Sequence, residues 1–232
     1  MRRYVVTAMT PGGETAVSNE ARAITAVQLH TYLTFDAGSG TSAVDASGNA
    51  HTAALVNAAW AAGHVTGGAV SLNGSNAYVS LPNDLLMVVA DCTIAAWVFW
   101  NGGGNWQRIF DFGAGQGRYL FLSPKSGAGV VRFAITTNNG VGEQTIAGTA
   151  ALPTGVWTHV AVTLAGSVGV LYVNGVAVGS NSAMTAAPFR LGSTSQNWLG
   201  RSQYAADPYF NGLIDDFRIY NGVLTATQIA ML

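Results

Sequence analysis

Eleven carboxylates stand in this chain of 232 residues, and their spacing decides what acid–base chemistry it could do. Hydrolysis of a glycosidic bond takes two carboxyl groups flanking it on one face, which alternate strand positions would supply. The glutamates are Glu14, Glu20 and Glu143. The first two lie in an N-terminal stretch unlike the rest, and Glu143 stands alone in the loop 140–144. Asp215 and Asp216 are adjacent, so in a regular strand they point to opposite faces and form no pair. His30, His51, His64 and His159 are scattered, without the spacing of a zinc-protease motif. His159 follows Trp157 in an alternating run and reads as a packing or hydrogen-bonding residue. Cys92, the single cysteine, opens the apolar run 92–97 and reads as a buried strand thiol with no local base. The expectation is a chain without catalysis.

Two segments carry instead the mixture that holds sugars. Ring faces meet C–H surfaces, and a few planar polar groups meet hydroxyls. The loop 102–108 ends in Asn105, Trp106, Gln107 and Arg108, and the long turn 201–209 carries Arg201, Gln203, Tyr204, Asp207 and Tyr209. Asn138, Asn139 and Gln144 offer further amides. The same residues have a structural use: Trp106 capping the core edge, and Arg108 or Arg201 pairing with Asp111 or Asp207. Trp97, Trp100, Trp157 and Trp198 fall mostly in strands and are expected in the core.

The elements that must position these residues are strands. Short alternating runs split by Gly, Asn, Asp and Ser recur from about residue 27: 69–72, 78–81, 93–99, 118–122, 130–135 and 158–164. Between the runs 170–173 and 176–178, Asn174-Gly175 is the signature of a type I′ hairpin turn. Strand after strand without a long amphipathic helix argues for a sandwich or barrel. Thr225-Ala-Thr-Gln228 reads as a capping box opening a short helix, which stops about two turns on, as expected of a segment of a longer protein. Hydrophobic residues make up 49% and charged residues 9%, so the polar surface must come from Ser, Thr, Asn, Gln and Gly. Net charge is −1 and no basic stripe exists, which argues against nucleic acid. No run of about 20 apolar residues suggests a membrane span. Met1-Arg2-Arg3 leads into no apolar signal core, so an export signal is expected outside this segment.

An ordered set of segments resembles the bacterial laminin-G-like, concanavalin A-like jelly-roll modules. It comprises Leu33-Thr-Phe-Asp36, Asp45-Ala-Ser-Gly-Asn49, Leu72-Asn73-Gly74-Ser75-Asn76, Thr93-Ile-Ala-Ala-Trp97, Gly155-Val-Trp157-Thr158-His159, Leu171-Tyr-Val-Asn174-Gly175 and Gly212-Leu-Ile-Asp215-Asp216. The resemblance implies an all-β, two-sheet antiparallel jelly-roll sandwich over residues 27–232. It also implies a structural calcium ion held by Asp36, the Asn73-Gly74-Ser75 turn and Asp215. Alternation would put Asp215 on one face with Phe217 and Ile219. The segments 106–113, 197–204 and 207–210 resemble modules attached to bacterial glycoside hydrolases. Residues 1–25 resemble the last two strands of a fibronectin type III domain. These likenesses imply a secreted, non-catalytic carbohydrate-binding accessory module, covalently linked to a catalytic domain and binding plant cell-wall polysaccharide. The alternative is a protein-adhesion module or a structural spacer.

Overall fold

Every second side chain in the long strands is apolar, and those side chains meet between two sheets. The computed structural model describes residues 27–138 and 141–232, and four short strands before them. Of these four, Arg2–Tyr4 pairs antiparallel with Ala21–Ala23, and Met9–Thr10 with Gly13–Glu14. The fibronectin-like reading of residues 1–25 otherwise lies outside the described residues.

The main body is the expected antiparallel jelly roll. The first sheet orders its strands Gln144–Ala147, Arg132–Thr136, Tyr119–Ser123, Phe110–Gly113, Gln196–Leu199, Tyr78–Ser80, Ala53–Val56 and Ser42–Ala43. The second runs Val176–Asn181, Val168–Val173, Trp157–Ala165, Cys92–Trp100, Asn211–Asn221, Gly68–Asn73 and Ala59–Ala62. Gln28–Leu33 also pairs with Asn211–Asn221. Phe110, Phe112, Leu120, Leu122, Phe133 and Ile135 face Ile94, Val98, Val160, Val162, Phe217 and Ile219 in one continuous core. The rings of Phe110 and Phe112 stack at 5.4 Å, and both meet Phe217 across the layers at 6.4 and 6.1 Å. Packing of this kind makes the layers rigid supports for whatever loops they carry.

Local signals hold where local chemistry decides. Asn174 and Gly175 both take positive φ, 49° and 76°, as a type I′ turn requires. Thr225 and Gln228 form the capping box, and the helix Ala226–Ile229 follows. With Leu224, Ile229 covers Ala95, Ala161 and Tyr172 on the outward face of the second sheet. Cys92 is buried, and burial pushes its thiol up to about 12, so it is inert.

Alternation fails at one place. Asp216 has φ 51°, and the pairing with Cys92–Trp100 shifts register between Ala95 and Trp97. This bulge sends Ile214 and Phe217 both into the core. Asp215 therefore does not share a face with Phe217 and Ile219. It points outward, opposite Trp97. Of the tryptophans expected inside, Trp100 alone joins the core between the sheets. Trp97 and Trp157 lie on the outward face of the second sheet, and Trp198 faces outward on the first beneath Arg201.

His159 is buried on that second outward face, opposite Trp97. Burial pushes its imidazole from the ordinary 6.5 down to about 4, with Arg218 and His64 adding to the effect. Below pH 6.5 the unfolded chain takes up a proton that the folded chain refuses. Stability is then intact above that pH and is lost as pH falls toward 4. The loss should reach about 3 kcal/mol across the window. Denaturant unfolding of wild type and His159→Gln at neutral and acid pH checks this; equal acid sensitivity in the two would refute it.

Candidate functional site

Arg108 is nearly sealed from water, with 2% of its surface exposed, and carboxylates on two segments receive it. Its Nε donates to Asp111 Oδ2 at 3.1 Å, Nη2 to Asp207 Oδ2 at 2.8 Å, and Nη1 to the Trp106 carbonyl at 2.5 Å. The guanidinium also lies 4.0 Å over the Phe121 ring. Asp111 sits in the strand Phe110–Gly113, so the pair ties a sheet to a loop. Burial pushes the Asp111 carboxyl up to about 7, against the pull of Arg108.

The loop tied down is 201–209. The chain leaves Gln196–Leu199 at Gly200, and the Phe210 N–H closes back on the Gly200 carbonyl at 2.9 Å. Ends this close define a compact Ω-type loop. Inside it, the Ser202 hydroxyl donates to Asp207 at 2.8 Å and the Gln203 N–H to Asp111 at 3.1 Å. The Gln203 amide bridges the Gly115 N–H and the Gln196 carbonyl. Arg108 and Gln203 are thus spent on the scaffold, not on a ligand, because every polar group they carry into the interior must be paired there.

The loop divides two clefts on the outward face of the first sheet. One, of about 210 Å³, is lined by Trp106, Arg108, Tyr119, Phe121, Glu143, Tyr204 and Asp207. Across it the Tyr119 hydroxyl donates to Glu143 Oε1 at 2.6 Å and lies 3.1 Å from the Tyr204 hydroxyl. Arg132 pairs with Glu143 Oε2 and lies 5.5 Å over the Trp106 ring. Burial and the Glu143 acceptor push the Tyr119 phenol far above its ordinary range, so it stays a proton donor. The second cleft, of about 170 Å³, is lined by Trp198, Arg201, Tyr204, Asp207 and Tyr209 among others. There the Arg201 guanidinium lies 4.2 Å over Trp198 and 4.8 Å over Tyr78.

The two segments singled out in sequence therefore do converge, with Trp106, Arg108, Tyr204 and Asp207 in one cleft and Arg201, Gln203 and Tyr209 in its neighbour. Asn105 and Asn138 are exposed and line neither cleft. The Asn138 carbonyl instead closes a turn on the Val141 N–H at 2.8 Å. Sequence reading missed Tyr119, Phe121, Arg132 and Glu143. The run Tyr119–Ser123 is apolar or aromatic at nearly every position, so alternation could not say which rings faced out.

The calcium ligands come together only in part. Asp36 Oδ1 accepts the Gly68 N–H at 2.9 Å, and Asp215 Oδ2 accepts the His64 N–H at 2.8 Å, so both carboxylates hold the loop 63–68. The carbonyl oxygens of Gly68 and Thr66 and Asp215 Oδ2 crowd Gly63, at 2.6, 3.0 and 2.8 Å from where a Cβ would stand. Burial pushes the Asp215 carboxyl up to about 6, with Asp216 and Asp36 adding to the shift. The Asn73-Gly74-Ser75 turn does not belong to this cluster. Asn73 pairs with Asn211, four strand residues from Asp215 and so about 13 Å away. Its Oδ1 is already filled by the N–H groups of Ser75, Asn76 and Ala77. Among the described residues, no three His, Cys, Asp or Glu side chains converge on one point.

Residues 73–230 match the laminin-G-type family model described as the concanavalin A-like lectin/glucanases superfamily. The chain belongs to this family. Among solved structures, the concanavalin A-like chain is similar to domain 4 of AbnA, a GH43 extracellular arabinanase from Geobacillus stearothermophilus, solved with arabinotriose. The two share 24% identity over 88% of this chain and 98% of that one, with a TM-score of 0.71. It is also similar to the Ruminococcus gnavus IT-sialidase CBM40 bound to α2,3-sialyllactose, at 17% identity over 70% and 95% of the two chains and a TM-score of 0.59. The binding domain of Paraclostridial Mosquitocidal Protein 1 matches at 15% identity over 88% of this chain and 51% of that one, with a TM-score of 0.68. Among the curated proteins, none matches.

Arg108→Met would leave Asp111 buried without its cation and release Asp207 from the sheet. Removing one partner of a buried ion pair costs about 3–5 kcal/mol. Denaturant unfolding should show that loss, and hydrogen exchange should rise across residues 201–209. A variant as stable as wild type with a protected loop would contradict the anchoring role.

Proposed function

We propose that this chain is a non-catalytic carbohydrate-binding module that holds its sugar in the cleft between Trp106 and Tyr204. The observation that carries the reading is the anchored loop 201–209. It raises Tyr204 beside Trp106, both packed on the buried rings of Tyr119 and Phe121. The half-buried rings of Trp106 and Tyr204 then stand ready for C–H surfaces, and the Tyr204 hydroxyl with Glu143 and Arg132 for sugar hydroxyls. A cleft of about 210 Å³ is smaller than the roughly 300–1,000 Å³ of drug-sized sites, which suits a short saccharide segment. The sugar-bound arabinanase domain and sialidase module of the same fold support this ligand class.

Binding rather than hydrolysis fits how the cleft's carboxylates are used. Glu143 and Asp207 line the same cleft. Glu143 Oε1 is taken by Tyr119 and Oε2 by Arg132, while Asp207 Oδ2 receives Arg108 and Ser202. Neither is poised to give a proton to a leaving oxygen, as a glycosidase acid must. The finer picture is a secreted bacterial module delivering a linked catalytic domain to plant cell-wall polysaccharide. Isothermal titration against arabinan, xylan, glucan and sialylated oligosaccharides tests both levels. Wild type should bind at least one of them, with Trp106→Ala and Tyr204→Ala weakening binding about tenfold or more. No binding to any glycan would leave the adhesion or spacer role.

We further propose that Asp36 and Asp215, with the carbonyls of Thr66 and Gly68, hold a calcium ion at the sandwich edge. Calcium takes six to eight oxygen ligands, and a cation there would offset the burial and the neighbouring carboxylates that push the Asp215 carboxyl up. Scanning calorimetry should give a lower melting temperature in chelator than in excess calcium, by an amount equivalent to about 3 kcal/mol at a hundredfold excess over Kd. Asp215→Asn should erase the difference. Identical melting of wild type with and without chelator would end the proposal.

A further inference from the structure

The second sheet carries a cleft of its own, of about 340 Å³, on the side of the sandwich away from Trp106. Its floor follows from strand pairing. Trp97 stands opposite His159, and Phe99 opposite Trp157, all on the outward face. The loop 63–68, held by Asp215, brings His64 back over that face, where its ring stacks on Trp97 at 3.5 Å and 15°. Trp157 meets the edge of the same imidazole at 5.7 Å. Asn174 stands at the rim, its Oδ1 holding the His159 backbone N–H at 2.9 Å. Ile229 of the helix Ala226–Ile229, its C-cap Ala230 and Leu232 form the far wall, with the Trp97 indole N–H donating to the Leu232 backbone oxygen at 3.2 Å.

One atom in this arrangement is unexplained by the fold. His159 is 3% exposed, and among the described residues its Nε2 has no hydrogen-bond partner. A buried polar group left unpaired costs stability, and native structures pair nearly all of them. The cleft is lined by no Asp, Glu, Lys or Arg side chain. Such a lining favours a neutral ligand that offers an apolar face to indole and a hydroxyl to imidazole.

We propose that this cleft is a second saccharide site, taking a neutral sugar with one ring face on Trp157 and a hydroxyl on His159 Nε2. The Asn174 amide is placed to meet a further hydroxyl. The site uses none of the residues of the Trp106–Tyr204 cleft and shares with that reading only the class of ligand. Nε2 is covered by its neighbours, so a hydroxyl reaching it must push them aside, and completing its hydrogen bond offsets that displacement.

Titrations followed by NMR test this with arabinotriose, xylotriose and cellotriose at millimolar concentration. The indole N–H signals of Trp97 and Trp157 and the ring signals of His159 should move for at least one of them. Trp157→Ala should weaken that response about tenfold while leaving any response at Trp106 intact, and Trp106→Ala should do the reverse. Should Trp157→Ala fail to fold, Trp157→Leu keeps the apolar bulk, removes the ring face and should weaken the response likewise. Shifts at Trp106 and Tyr204 alone would overturn this proposal and leave the first standing. Shifts at His159 and Trp157 alone would do the opposite. Silence at Trp97, Trp157 and His159 with all three sugars, or a response unchanged in the Trp157 variant, would overturn the second site.

Discussion

The first sheet's outward face depends on one buried cation. Arg108 lies under the loop 201–209, facing Asp111 below it and Asp207 within it. Without that charge two carboxylates would stand close together in an apolar setting, and the loop would be left with the Gln203 hydrogen bonds to hold it down. With it, the loop becomes a ridge with a cleft on each side. Burying an ion pair yields little net stability compared with an apolar packing of the same volume. What it confers is a defined position, since the planar fork accepts partners in few directions. The arrangement suits a surface on which ring placement matters more than a deeper energy minimum.

Legibility followed the range of the forces involved. Turn and cap chemistry is local, so the Asn174-Gly175 hairpin and the Thr225 capping box could be read directly. Strand positions followed from alternation, which left sandwich and barrel both open, and the two-sheet jelly roll followed from the family resemblance. The segments 102–108 and 201–209 were identifiable by composition, but their division of labour was not. Whether Arg108 reaches a ligand or a carboxylate depends on where Asp111 and Asp207 sit in space. Tyr119 and Phe121 were invisible as site residues because the inner face of their strand is equally apolar.

The misreading of Asp215 has the most specific cause. A face assignment by alternation assumes an unbroken strand, and one residue at φ 51° breaks it. Asp216 is a residue type that tolerates that conformation better than most, yet nothing in the sequence marks it more than any other aspartate. The bulge also releases both carboxylates from the core, so the two uses of the pair diverge. Asp215 steadies the loop beneath His64, while Asp216 accepts the Tyr32 hydroxyl at 2.5 Å and faces Arg218 at 3.1 Å.

The strand Asn211–Asn221 changes neighbours along its length. Its first residues pair with Gly68–Asn73 and its last with Gln28–Leu33, while Cys92–Trp100 runs along its other side. The last strand of the sandwich is thus the central plank to which its first strand must attach. Contacts between distant parts of a chain are slow to form, and here they cannot form until the segment 211–221 has been synthesised. During that interval Leu33, Val70, Ile94 and Val98 wait with their inner faces open and their strand edges unpaired. Exposed edges of this sort invite pairing with another chain. The module's vulnerable period is therefore its birth, and its yield in any host should depend on how well the nascent chain is shielded until the final strand emerges.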